Sequence, residues 1–108
     1  MAIKRFSEAG APVPSPLISW AEFIEQAAVH PSLVGELIEL GWLVPILAGG
    51  DNYLFRVRDV YRLRKHRRLC EDFDLTAVGG TIVVDLLERI ELLEARVREL
   101  EALARTIP

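Results

Sequence analysis

Residues 31–55 read PSLVGELIELGWLVPILAGGDNYLF, and the change of period inside this stretch decides the fold. Pro31 suits the first position of a helix, where a backbone N–H would have no partner and the ring's fixed φ is already helical. From there Leu33, Leu37 and Leu40 recur at helical spacing with Val34 and Ile38 beside them, which predicts a helix over Pro31–Leu40 with one apolar face. Gly41 offers the left-handed residue that ends such a helix. Two short apolar runs follow, 42–47 and 52–55. Ala48-Gly49-Gly50-Asp51 between them supplies the positive-φ residues that a hairpin turn demands.

Upstream, Ser19-Trp20-Ala21-Glu22 has the form of a capping box. Ser19 can accept from the third helical N–H while Glu22 reaches back to the N–H of the cap itself. Ile18 and Phe23 stand at the positions of the accompanying hydrophobic staple. This predicts a first helix to about Ala28, with Val29-His30 as a tight turn into the second. Two short helices and a hairpin make a winged helix-turn-helix. Pro12, Pro14 and Pro16 remove donors and fix φ, so residues 1–17 are expected to be a disordered extension.

Downstream, Val60, Leu63 and Arg67 keep helical spacing, which predicts a third helix from about Arg58 to Glu71. Its start lacks a capping oxygen, because Arg56 and Val57 offer none. Asp72-Phe73-Asp74 interrupts the pattern, and Asp74 is the expected cap of a last helix over Thr76–Arg105, about 45 Å long. Along it Val83, Leu86, Ile90, Leu93, Val97, Leu100 and Ala104 alternate steps of three and four, the seam of a coiled coil. Gly79 and Gly80 weaken its first turns by about 1 kcal/mol each relative to Ala, and they permit close packing. A small body cannot bury so long a seam. Dimerisation through Leu86, Ile90, Leu93, Val97 and Leu100 is therefore expected. The predicted class is mainly all-α: an extension (1–17), a winged helix-turn-helix with a small hairpin wing (18–75), and a C-terminal coiled-coil helix (76–108).

Charge sorts the functions this scaffold can serve. Residues 19–55 carry Glu22, Glu25, Glu36, Glu39 and Asp51 and no Lys or Arg. Residues 56–70 carry Arg56, Arg58, Arg62, Arg64, Lys65, Arg67 and Arg68 against Asp59 alone, and residues 71–108 turn acidic again. A helix that reads DNA needs cations for phosphates and Arg, Asn or Gln for base edges. The second helix has none of these, so sequence reading by it is not expected. The basic block could grip phosphates without reading bases, but pairing with the surrounding acids is the preferred reading. The contrast between acidic and basic blocks also suits steering toward a charged protein partner.

Catalysis finds little support, and neither an enzyme nor a cofactor or metal site is expected. His30 falls in a turn and His66 in a basic helix, with no metal-ligand spacing. Glu22 with Glu25, and Glu36 with Glu39, read as surface charges rather than acid/base couples. Basic neighbours could lower the thiol pKa of the single cysteine, Cys70, yet an inert or buried thiol is preferred. One cysteine also fits a reducing cytoplasm. No run approaches a membrane span, and no apolar stretch follows Lys4 and Arg5 as in a signal peptide. Trp42 is expected in the core. Tyr53, near the hairpin turn, is a candidate interface residue.

The order of elements resembles the DNA-binding head of MerR-type regulators. In detail, Leu37-Ile38-Glu39-Leu40-Gly41-Trp42-Leu43-Val44-Pro45, Phe55 leading into Arg62-Leu63-Arg64, Arg68-Leu69-Cys70-Glu71-Asp72-Phe73-Asp74-Leu75, Gly79, Asp85-Leu86-Leu87-Glu88-Arg89-Ile90 and Leu93-Glu94 resemble the CbpM-type chaperone modulators. The likeness covers about residues 17–105 and is most specific from Arg62 to Glu94. Gly80 departs from it where an apolar residue is usual, and Thr76 where a capping residue such as Asn is common. The resemblance implies a non-enzymatic cytoplasmic protein that binds the J-domain of a DnaJ/CbpA-like curved-DNA-binding co-chaperone. It implies restraint of that partner's stimulation of the Hsp70 chaperone and of its DNA binding. J-domains present a basic helix to an acidic patch on Hsp70. The resemblance therefore directs attention to Glu22, Glu25, Glu36 and Glu39, and to Tyr53, where the family often has an aromatic on the second wing strand. The alternative is a MerR-like DNA-binding transcription regulator that uses the basic third helix.

Overall fold

The computed structural model describes residues 15–107. Its elements run β1 (Leu17–Ser19), α1 (Trp20–Ala27), α2 (Pro31–Glu39), β2 (Ile46–Leu47), β3 (Tyr53–Arg56), α3 (Val57–Phe73) and α4 (Ala77–Thr106). The fold is mainly helical, a helix-turn-helix with a small antiparallel sheet and a long C-terminal helix. The capping box at Ser19 forms as its sequence requires: Glu22 N donates to Ser19 Oγ at 3.2 Å, and Ser19 N donates to Glu22 Oε1 at 3.1 Å. Ala28, at φ 56°, closes α1 in the left-handed region. The second helix is capped from outside the expected residue types, since Ser32 N donates to Nδ1 of His30 at 3.1 Å.

The sheet has three strands in the order β1-β3-β2, where the sequence suggested two. Leu17 pairs with Arg56, Ile18 with Phe55 and Ser19 with Leu54. The extension expected to be disordered through residue 17 therefore ends sooner, because Leu17 and Ile18 find an open strand edge in β3. The rest of that expectation, residues 1–14, lies outside the described residues. The same segment supplies the cap that α3 lacks. Val57 N donates to the Pro16 carbonyl at 2.9 Å, and Arg58 N donates to Ser15 Oγ at 3.2 Å. The first two N–H groups of α3 thus gain partners from the segment just before β1, far away in sequence.

Phe23, Ala27, Val34, Leu37, Leu43, Phe55, Val60 and Leu63 form the core. Phe23 stacks on Phe55 with centroids 4.6 Å apart, tying α1 to β3. Leu40, expected on the buried face of α2, is exposed: it is the C-cap residue, and the chain turns away at Gly41, φ 77°. Asp74 does not cap α4. It closes α3 at φ 53°, and Thr76 caps α4 by accepting from Gly79 N at 2.9 Å.

Gly80, Thr81 and Val84 bury the start of α4 against the head. A Cβ on Gly80 would lie 2.5 Å from Cys70 Sγ and 2.7 Å from His66 Nε2. Only a glycine lets α3 and α4 approach this closely. From residue 91 to 107 every residue is exposed. About 25 Å of helix therefore projects beyond the head.

Candidate protein-binding surface

The outward side of α2 is short and chemically plain. Val34 and Leu37 are buried and Leu33, Gly35 and Ile38 half-buried, which leaves Pro31, Ser32, Glu36 and Glu39, with Leu40 at the C-cap, facing solvent. Glu36 and Glu39 sit one turn apart, and neither has an ion-pair partner among the described residues. Glu25 is likewise exposed and unpaired on α1. Glu22 differs, because its carboxylate already serves the α1 cap and accepts from both N and Oγ of Ser19 at 3.1 Å. The four glutamates thus divide into three available carboxylates and one committed to structure.

Tyr53 is 49% exposed on β3, directly across from Leu47, which is 59% exposed. Cross-strand partners share a face of the sheet, so the wing tip carries an apolar pair rather than a lone aromatic. Leu47 was legible as a candidate only through that register. Tyr53 and Leu47 stand on β3 and β2 while the carboxylates stand on α2, so separate elements present the candidate residues.

The basic block separates into two sets. Arg62 bonds Asp59 at 3.2 Å, Asp85 at 3.1 Å and Glu88 at 3.1 Å, and Lys65 pairs with Glu91 at 3.6 Å. Arg56 donates to the Val44 carbonyl and Arg67 to the Ala28 carbonyl. All four side chains have partners within the fold. Arg58, Arg64 and Arg68 have no acidic partner among the described residues.

Trp42, expected in the core, is half-buried at the hub of the same network. Its N–H donates to Asp85 at 2.9 Å, and the Arg62 guanidinium lies 4.2 Å over its ring.

The groups that could do chemistry are engaged in structure. His66 is 1% exposed, and its Nε2 lies 2.8 Å from the Ala77 carbonyl, to which it donates. Cys70 Sγ donates to the Thr76 carbonyl at 3.5 Å and lies 3.8 Å and 3.9 Å from Nε2 and Nδ1 of His66. Burial, and then the adjacent Glu71 carboxylate, push its thiol pKa up. That is opposite to what its basic neighbours suggested: Arg67 donates its guanidinium N–H to the Ala28 carbonyl and Arg68 is exposed, while the thiol packs toward Gly80. Among the described residues no group of three or more His, Cys, Asp and Glu could hold a metal ion. No described helix is long and apolar enough to cross a membrane.

Along α4, Leu86, Ile90, Leu93, Val97 and Leu100 are each about half exposed. Ile90, Leu93 and Val97, with Glu94 and Arg98, line a shallow open groove. The family model for MerR HTH family regulatory proteins matches residues 18–102, which takes in the head and nearly all of the projecting helix.

Proposed function

Because the chain belongs to the MerR HTH family of regulatory proteins, we propose that it is a non-enzymatic modulator that has exchanged DNA for a protein ligand. The ligand is the J-domain of a DnaJ-like curved-DNA-binding co-chaperone, as in the CbpM-type members that its sequence resembles. The observation that carries this reading is the surface of α2. In a helix-turn-helix the second helix enters the major groove. Here it offers Glu36 and Glu39 and no Lys, Arg, Asn or Gln. Two carboxylates would repel phosphates, yet they complement a basic helix. Covering the basic helix of a J-domain would withhold it from Hsp70 and so restrain co-chaperone activity. The exposed Tyr53–Leu47 pair at the wing tip adds an apolar contact of the kind that anchors interface cores.

The active form in this proposal is a homodimer. The half-exposed stripe from Leu86 to Leu100 has the coiled-coil period, and a second copy is the simplest cover for it. Val97→Asp should then convert a sedimenting dimer to a monomer, and an unchanged mass would remove this part of the proposal.

The acidic-face mechanism is tested by Glu36→Lys with Glu39→Lys. Both side chains are exposed and unpaired, so folding should be unaffected. Association with the J-domain should slow by about tenfold or more, and its salt dependence should weaken. Normal binding by the double variant would remove α2 from the interface. A MerR-like transcription regulator, the competing reading, predicts instead a palindromic site bound with steep salt dependence.

A further inference from the structure

We propose that the outward face of α3, formed by Arg58, Tyr61, Arg64 and Arg68, is a docking surface for a short acidic segment of a partner protein. This surface is separate from α2 and does not depend on the J-domain assignment. The four residues follow one another at steps of three, three and four, so they share one side of the helix. Leu63, His66 and Val60, which face the core, occupy the other sides. The arginines of this face are unlike the rest of the basic block. Arg62 and Lys65 are bound to acids of α4, whereas Arg58, Arg64 and Arg68 have no acidic partner among the described residues. Among them stands Tyr61, 63% exposed, a large apolar ring left uncovered on a polar helix.

The dimensions and the flanks choose between two kinds of polyanion. The stripe runs from Arg58 to Arg68, ten helical rises or about 15 Å. That length matches about five residues of extended peptide. Guanidinium groups engage carboxylates through paired, charge-assisted hydrogen bonds, and an aromatic or aliphatic side chain of the same segment would cover Tyr61. A nucleic acid would not stop at the end of the stripe. Its phosphates would continue past Arg68 onto exposed Glu71, Asp72 and Asp74 on the next turn. The acidic helix-turn-helix unit adds further repulsion, and the chain as a whole carries a net charge of −3. A peptide can end where the cations end.

The test uses fluorescence anisotropy on the full chain with three labelled probes: a short peptide of Asp and Glu around a central Phe, a single-stranded DNA and a DNA duplex. The peptide should bind saturably and weaken with salt. Arg64→Glu with Arg68→Glu should lower its affinity by about tenfold or more. Tyr61→Ala should lower affinity for this peptide more than for one with Ala in place of Phe. Circular dichroism of each variant checks that the helices persist. Failure of the peptide to saturate overturns the proposal. Tighter binding of either DNA, lost in the same arginine variants, also overturns it and makes the face a phosphate grip.

Discussion

The indole N–H of Trp42 donates to Oδ1 of Asp85 at 2.9 Å, and the Arg62 guanidinium that bonds the same oxygen stacks over the same indole. One carboxylate near the start of α4 is thereby fastened to the loop after α2 and to α3. With the buried Gly80, Thr81 and Val84, this junction holds the long helix against the head. The geometry of any dimer built on α4 therefore depends in part on two side chains of the head, Trp42 and Arg62, and on Asp85 of α4.

Removing the central cation should be costly. Asp59 is 7% exposed at its side chain and is bonded by Arg62, so Arg62→Met leaves a largely buried carboxylate unpaired. The expected loss is about 2–3 kcal/mol in urea unfolding. Lys65→Met breaks only the exposed pair with Glu91, and it should cost less than about 1 kcal/mol. Equal losses for the two variants would contradict the role given to Arg62.

Ser15 is expected to matter although it precedes every regular element. Its hydroxyl accepts from Arg58 N at the uncapped start of α3. Ser15→Ala should lower stability by about 1 kcal/mol, as loss of an ordinary N-cap does. A stability unchanged within error would show that water serves this N–H equally well.

Two helical glycines should respond in opposite directions. A Cβ on Gly35 meets nothing within 4 Å, so Gly35→Ala should stabilise by up to about 1 kcal/mol through helix propensity alone. Gly80→Ala drives its Cβ into Cys70 and His66 and should destabilise by about 1–3 kcal/mol despite the same propensity gain. Thermal unfolding of the pair measures both signs, and a stable Gly80→Ala would mean that α4 packs less closely on α3.

Cys70 should behave as a slow thiol. Burial and Glu71 raise its pKa, so less thiolate exists near neutral pH than for a free cysteine. Alkylation of the native chain should be slower than that of the urea-unfolded chain at the same pH. Its rate should keep rising with pH after the unfolded thiol has fully ionised. The sign for stability follows: the neutral thiol is favoured in the fold, so this contribution is present below the unfolded pKa and lost as pH climbs toward the folded one. Faster alkylation in the native state would reverse the assignment.

Elements whose signals are local were legible in the sequence. The Ser19 box, Pro31, the glycine turn at 49–50 and the period of α4 each act within a few residues, and each appears where its chemistry places it. What escaped depended on distant partners. Leu17–Ser19 becomes a strand only because β3 offers an edge, and α3 is capped only because Ser15 and Pro16 then lie beside it. Asp74 and Thr76 both have capping side chains, and the left-handed turn that ends α3 decided between them. The candidate surface was partly readable. Charge picked out Glu25, Glu36 and Glu39, but Glu22 was already absorbed by the capping box. Leu47 joined Tyr53 only through strand register. The basic block looked uniform until α4 claimed Arg62 and Lys65 and left Arg58, Arg64 and Arg68 on the surface.

The most direct test of the proposed function is a calorimetric titration of the full chain with the isolated J-domain of its DnaJ-like co-chaperone, at low and at moderate salt. Saturable binding that weakens as salt rises is the predicted result, because carboxylates on α2 would face a basic helix. Saturable binding indifferent to salt would move the interface to apolar residues such as Tyr53 and Leu47. The absence of binding at both salts would contradict the modulator reading outright and return this MerR-family chain to DNA as its ligand.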